Sequence, residues 1–198
     1  MLRHGLSVWN KENIFTGWVD VPLAEEGIQQ AKDVARLLNV YRFDVAYTSA
    51  LYRAVHTLEI ILNEIDHPGI PIIKSDKLNE RCYGGLQGMN KDKIREKYGE
   101  EQLNLWRRSY RTRPPGGESL KDTASRTLPF FYEEIVPKLD EGKNVILSAH
   151  GNTLRAIVMD LDGVEPEAVA KLEIGYCVPY VYERIDSKFT KISELMSD

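Results

Sequence analysis

Only two cysteines and four histidines occur in these 198 residues. Cys82 and Cys177 stand far apart, in no metal or redox spacing, so the expectation is two free thiols in a reducing cytosol. No apolar run approaches the ~20 residues needed to span a membrane, and no signal-peptide pattern opens the chain. The chain is therefore expected to be cytoplasmic, with no membrane partner. An excess of positive charge is missing too: 26 basic residues face 30 acidic ones, for a net charge of −4. No overall field draws in nucleic acid. Small anions stay open, because a local arginine cluster works against a mildly acidic background. There is no repeat, no low-complexity tract and no linker, so residues 1–198 are expected to form a single domain. Before Arg3 there is almost nothing, which leaves any first strand a stub.

Hydrophobic residues make up 42% of the chain and charged residues 28%, the balance of an ordinary globular protein. Two segment types alternate. Phe43 to Thr48, Pro71 to Lys74, Asn144 to Ser148 and Val178 to Glu183 read as short strands, apolar or β-branched and bounded by turn residues. Glu25 to Leu38 reads as a helix, with Ile28, Ala31, Ala35 and Leu38 at helical spacing. Leu51, Ala54, Leu58, Leu62 and Ile65 mark a second helix. A third runs from Ser119, a candidate N-cap, to Leu139, with Pro129 and Pro137 expected to kink or divide it. A fourth runs from Gly151 to Asp162-Gly163. This alternation predicts an α/β domain with a mainly parallel sheet flanked by helices on both faces.

Ligands of such sheets bind beyond the carboxyl ends of the strands. Four segments bring polar chemistry to that rim. Arg3 and His4 follow the stub strand, with Gly5, Ser7 and Asn10 close behind. An unperturbed histidine, with pKa ~6.5, is largely neutral at pH 7 and can attack phosphorus. The adjacent guanidinium offers a planar fork to phosphate oxygens. Arg53 offers a second fork, although alone it reads equally as a solvated helix arginine. Glu80 is a candidate proton donor and acceptor, with a salt bridge to Arg81 as the plainer reading. His150-Gly151-Asn152 opens a helix after a buried strand. Unpaired backbone N–H groups there attract anions, although His150 could simply cap the helix. Arg107 and Arg108 pair two guanidiniums for a carboxylate or a second phosphate, or else form a solvated helix face. His56 and His67 read as structural or solvent-facing. No carboxylate cluster and no His/Cys spacing suits a metal.

Taken in order, Arg3-His4-Gly5, Phe15-Thr16-Gly17-Trp18, Ser49-Ala50-Leu51-Tyr52-Arg53-Ala54, Leu78-Asn79-Glu80-Arg81, Trp106-Arg107-Arg108-Ser109-Tyr110, Gly117-Glu118-Ser119-Leu120 and Ala149-His150-Gly151-Asn152 resemble the cofactor-dependent phosphoglycerate mutases, a branch of the histidine phosphatase superfamily. The resemblance covers nearly the whole chain. Arg-His-Gly alone identifies only the superfamily; the Phe-Thr-Gly-Trp and Trp-Arg-Arg-Ser-Tyr segments are far more specific.

The resemblance implies a phosphoglycerate mutase-like fold and interconversion of 3-phosphoglycerate and 2-phosphoglycerate. The route it implies is a phosphohistidine, with bound 2,3-bisphosphoglycerate as the priming cofactor and no metal. It implies that His4 is phosphorylated and that His150 stabilises the group in transfer. Arg3 and Arg53 would hold its oxygens, aided by Asn10 and Gly151, and Glu80 would serve as general acid and base. Thr16, Gly17, Tyr83, Lys91, Arg107, Arg108 and Asn152 would bind the rest of the substrate. The pattern is departed from at Leu6, Val8 and Cys82, in a short Tyr110 to Gly117 segment, and in a short end at Asp198. Two other readings are a phosphatase using the same His4 and Glu80, and a non-catalytic phosphoester-binding module. The Ile70 to Ser75 edge also suggests pairing of two copies into a homo-oligomer.

Overall fold

The computed structural model describes residues 1–65 and 69–194. In chain order the elements are β1 (Leu2–Arg3), α1 (Val8–Lys11), α2 (Glu25–Leu38), β2 (Val45–Ser49), α3 (Tyr52–Glu64), β3 (Ile72–Ser75), α4 (Lys91–Tyr98), α5 (Glu100–Arg108), α6 (Leu120–Phe130), α7 (Val136–Asp140), β4 (Val145–Ala149), α8 (Gly151–Leu161), β5 (Tyr180–Ile185) and β6 (Lys188–Glu194). Four strands form a parallel sheet in the order β1-β4-β2-β3. The expected α/β architecture is present. The expected His67 lies outside the described residues.

Successive residues of a strand face opposite sides of its sheet, and that alternation sorts the core. Ala46 and Ile146 pack with Ala31, Val34, Ala35 and Leu38 of α2 and with Leu58, Ile61 and Leu62 of α3. Tyr47, Leu147 and Ala149 pack the other way, against Leu154, Ile157 and Val158 of α8 and against Phe131 and Ile135. Helices therefore cover both faces, and β2 is buried along its whole length. Each fully buried Leu or Ile contributes ~1.5–3 kcal/mol.

Two expectations need correction, and three short helices carried none. The segment called Val178 to Glu183 is strand only from Tyr180, and it lies outside the parallel sheet, paired antiparallel with β6. The connecting Asp186 and Ser187 both adopt positive φ, 47° and 63°, the geometry of a two-residue hairpin turn. Asp-Ser is a weak signal for that turn, so β6 leaves little trace in the sequence. The helix expected from Ser119 to Leu139 is divided, not at Pro129, which lies inside α6, but by a stretch of π-helix at residues 131–135 that gives way to α7 with Pro137 in its first turn. One wider turn lets the chain continue past Pro137, which has no N–H to give. Ser119 caps α6 as expected, in a reciprocal capping box with Asp122. Finally, α1, α4 and α5 went unassigned as elements. They are short, and α4 and α5 join at Gly99 with φ of 84°.

Candidate active site

Above the carboxyl ends of β1, β4 and β2 lies a cavity of about 240 Å³, lined by residues from six segments. β1 ends at Arg3, where the N–H of His4 still donates to the carbonyl of Ala149 at 3.0 Å. The chain then turns away through Gly5. A Cβ there would lie 2.3 Å from the carbonyl oxygen of Gly27, and one on Gly27 would lie 2.1 Å from that of Leu6. Backbone packs on backbone, which only glycine permits. This contact seats the histidine loop on the start of α2.

His4 is 2% exposed. Its Nδ1 donates to the carbonyl oxygen of Gly5 at 2.7 Å. A carbonyl can only accept, so Nδ1 carries the proton and Nε2 keeps its lone pair. Burial holds the His4 pKa well below 6.5, and Arg53 and Arg3 push it further down. The ring is therefore a neutral imidazole at physiological pH. His150 lies edge-on to it, the ring centroids 5.1 Å apart. Burial, then Arg53 and His4, keep the His150 pKa well below 6.5 also. Its Nε2 shares a 2.7 Å hydrogen bond with Ser49 Oγ. His150 occupies the N-cap position of α8 but makes no side-chain cap bond. The simple capping reading fails.

Arg53 is 1% exposed and not a solvated helix arginine. Nη1 donates to the carbonyl of Val19 and Nη2 to that of Gly17, at 3.1 and 2.8 Å. Burial lowers its pKa to about 10, so it stays charged. Arg3 donates to the carbonyl of Ile174 at 2.9 Å and stacks on Tyr176, 3.8 Å from the ring centroid. Gly151 meets the Arg3 guanidinium closely, since a Cβ there would lie 3.4 Å from it. Glu80 does not pair with the Arg81 side chain. Its Oε1 instead accepts from the backbone N–H groups of Arg81 and Asn152, at 2.8 and 3.0 Å. Arg81 turns away, to the Tyr83 hydroxyl and the carbonyl of Arg107, at 3.1 and 2.5 Å.

The remaining expected residues, Asn10, Thr16, Gly17, Tyr83, Lys91, Arg107, Arg108, Gly151 and Asn152, all line the same cavity. Arg107 and Arg108 end α5 and face the cavity rather than bulk solvent. Arg108 pairs with Glu173 at 2.8 Å. Lys91 donates to the carbonyl of Ile14 at 3.1 Å. Burial first, then Arg107 and Arg3, bring its pKa down to about 8. Among the described residues no group of three or more His, Cys, Asp or Glu side chains gathers as a metal site.

Arg155 and Tyr176 were missed. Arg155 is 6% exposed, anchored on the carbonyl of Leu172 and donating to Asn152 Oδ1 at 2.7 Å. Burial brings its pKa down to about 10. It lies one helical turn beyond Gly151, and that i, i+4 spacing was the available signal. Tyr176 sits in an irregular loop with no periodicity to place it. Buried polar atoms without a hydrogen-bond partner include Arg3 Nε, Thr16 Oγ1 and Arg53 Nε on residues lining the cavity and, on residues beside them that do not line it, His150 Nδ1 and Arg81 Nε and Nη1. With a ring of cations around a neutral imidazole, they suit a multiply charged phosphoester.

A family model described as the histidine phosphatase superfamily (branch 1) matches residues 1–193. The chain is 55% identical over 193 residues to 2,3-bisphosphoglycerate-dependent phosphoglycerate mutase 2 of Gloeobacter violaceus, covering 97% of this chain and 88% of that one. It is 53% identical over 184 residues to phosphoglycerate mutase of Schizosaccharomyces pombe, covering 92% and 87%. Among solved structures, a mycobacterial glucosyl-3-phosphoglycerate phosphatase complexed with VO3 superposes with a TM-score of 0.87 at 25% identity, covering 100% and 98%. Phosphoglycerate mutase from Bacillus anthracis superposes with a TM-score of 0.81, covering 96% and 89%; at 22% identity it shows the fold alone.

Proposed function

The chain belongs to branch 1 of the histidine phosphatase superfamily, and from that premise we propose how its residues perform their reaction. The activity is the interconversion of 3-phosphoglycerate and 2-phosphoglycerate, dependent on 2,3-bisphosphoglycerate. One observation carries it: relatives about half identical over nearly the whole chain are named as that mutase.

His4 is the nucleophile. Its free Nε2 attacks phosphorus, a P–N bond forms, and the bond to the leaving oxygen breaks. Glu80 gives a proton to that oxygen. In the return step Glu80 takes a proton from a glycerate hydroxyl, and that oxygen draws the phosphoryl group from His4. Arg3, Arg53, His150 and the amino end of α8 neutralise charge on the oxygens in transfer, with Asn10 on the rim. Arg107, Arg108 and Lys91 hold the carboxylate and the second phosphate, with Thr16, Gly17, Tyr83 and Asn152 beside them. Bound 2,3-bisphosphoglycerate supplies the phosphoryl group that primes His4. The fit rests on the cations and orphaned polar atoms of the cavity. Because guanidiniums and a helix terminus supply the positive charge, metal-independent turnover belongs to the same proposal.

Incubation with 3-phosphoglycerate and trace 2,3-bisphosphoglycerate tests the reading. The expected product is 2-phosphoglycerate, with little free phosphate. Free phosphate as the main product would overturn it in favour of a phosphatase. The exposed edge of β3, with Ile72 and Ile73 39% and 36% accessible, supports pairing of two copies there as part of the proposal.

A further inference from the structure

Glu80 must present its carboxyl group within hydrogen-bond reach of a leaving oxygen, yet it sits in irregular chain between the short 3-10 turns Asp76–Leu78 and Gly84–Leu86. Loop segments of this kind are ordinarily the mobile parts of a fold. Here one guanidinium outside the cavity grips three carbonyls of the loop, two of which also accept from threonines, that of Lys77 from Thr127 Oγ1 at 2.9 Å and that of Asn79 from Thr153 Oγ1 at 2.7 Å. Arg126, on α6, donates from Nη1 to the carbonyl of Lys77 at 2.9 Å. From Nη2 it donates to the carbonyls of Asn79 and Glu80, both at 2.9 Å. The same guanidinium binds the Glu118 carboxylate in a bidentate pair, Nε to Oε1 at 2.9 Å and Nη2 to Oε2 at 3.0 Å. Glu118 Oε2 then accepts from the backbone N–H of Cys82 at 2.9 Å.

The loop is thus fixed on both sides of Glu80. Its carbonyls at 77, 79 and 80 are bound by the cation, and its N–H at 82 by the cation's partner. The pair is mostly buried, with side-chain exposures of 15% and 21%, so its geometry is better protected from screening than a surface ion pair. A third contact closes the arrangement. Trp18 Nε1 donates to the Glu80 carbonyl at 2.5 Å, and the Arg126 guanidinium lies over the indole at 5.6 Å. Trp18 directly follows Thr16 and Gly17 of the cavity wall. Neither Arg126 nor Glu118 lines the cavity.

We propose that Arg126, held by Glu118, is a positioning residue for the reaction: the two side chains brace the loop so that Glu80 meets the leaving oxygen. The inference rests on Glu80 being the general acid and base. The step served is cleavage of the P–O bond, in which His4 Nε2 gains phosphorus and the departing oxygen takes the Glu80 proton. A leaving oxygen that needs no proton must be indifferent to the brace. An alkyl phosphate needs one; 4-nitrophenyl phosphate, with its stable phenolate, does not.

The experiment compares phosphoryl transfer to His4 from 3-phosphoglycerate, glycerol phosphate and 4-nitrophenyl phosphate in Arg126→Lys, Arg126→Met and Glu118→Gln proteins. General acid catalysis contributes about 10²–10⁴-fold, so a displaced Glu80 should lower kcat on the alkyl esters about tenfold or more. KM and the aryl-ester rate should stay within about twofold, and Arg126→Lys should recover part of the Arg126→Met loss. In a Glu80→Gln background Arg126→Met should add little, as expected of residues acting through one another. Equal losses on alkyl and aryl esters, a change in KM alone, or full additivity with Glu80→Gln would overturn the proposal. Should Arg126→Met fail to fold, the alkyl-to-aryl ratio of the other two variants decides in the same way. A parent protein inactive on phosphoglycerate would refute the assigned mutase activity, while the glycerol phosphate to 4-nitrophenyl phosphate ratio would still judge the brace.

Discussion

His4 engages one ring nitrogen with its own loop and leaves the other for the cavity. Nδ1–H is committed to the Gly5 carbonyl, so in the proposed mechanism Nε2 is the atom left to attack phosphorus. His4→Ala should abolish mutase turnover and the acid-labile phosphoenzyme, as read by labelling with radioactive 2,3-bisphosphoglycerate. Label retained on that variant would move the nucleophile elsewhere, with His150 first in line. A second outcome at this scale concerns Lys91. Its pKa is pushed down to about 8, chiefly by burial. The charged form therefore predominates below that pH and is lost as pH rises through it. kcat/KM reports the free enzyme, so its alkaline limb should begin near pH 8. Lys91→Arg, which stays charged, should shift that limb upward by a unit or more, measured as kcat/KM between pH 6.5 and 9.5. An unmoved limb would assign it to another group. Arg53 and His150 were placed by regular elements, the one inside α3 and the other at the start of α8. His4 and Glu80 lie in irregular chain and were legible only through residue type and the motifs around them. Tyr176 and Glu173 were not legible, because an irregular loop delivers them across the fold.

At the scale of elements, the strands and long helices announced themselves through apolar spacing. Their ends moved where a polar contact decides the boundary. β2, for example, starts only after Asp44, whose carboxylate accepts from the Asn144 N–H at 2.8 Å. The hairpin of β5 and β6 was half missed, since its turn depends on two non-glycine residues at positive φ. The join between the histidine loop and α2 was not legible either. Nothing in Ala24-Glu25-Glu26-Gly27 says that another glycine packs against it. That contact makes a sharp expectation. In Gly27→Ala the new Cβ would sit 2.1 Å from the Leu6 carbonyl oxygen, so backbone must shift. Overpacking of this kind costs ~1–3 kcal/mol, which for a chain of this size lowers Tm by roughly 2–4 °C per kcal/mol. The shift also displaces His4, so kcat should fall more than KM rises. Thermal unfolding and steady-state kinetics on the variant check both. An unchanged Tm would mean that the loop yields freely.

Across the whole molecule, a net charge of −4 coexists with a cavity walled by Arg3, Arg53, Lys91, Arg107, Arg108 and Arg155. The chain gathers its cations around that cavity, and on the proposed mechanism that concentration takes the place of a metal ion. Turnover should be undiminished in excess EDTA after exhaustive dialysis. A large loss restored by magnesium or manganese would contradict this assignment of charge. The last outcome concerns water. A mutase must keep water from the phosphohistidine while the bisphosphate turns over, and covering segments perform that task. Among the described residues, none beyond Tyr176 lines the cavity. β6, which includes Ser193, is committed to its hairpin with β5; residues 195–198 lie outside the described residues. The short Tyr110 to Gly117 segment is committed too. Gly84 packs so close to it that a Cβ would lie 2.3 Å from the Pro115 carbonyl oxygen, which ties the segment to the cavity wall instead of leaving it free to fold over the mouth. From the tie of the Tyr110 to Gly117 segment alone, the phosphoenzyme should leak to water faster than that of a mutase whose corresponding segment is free to fold over its site, giving a higher ratio of bisphosphoglycerate phosphatase to mutase activity. The check is the half-life of labelled phosphoenzyme in buffer, beside such a relative at one pH and temperature. An equal or longer half-life would show that Glu173 on Arg108, together with Tyr176 on Arg3, already excludes water from His4.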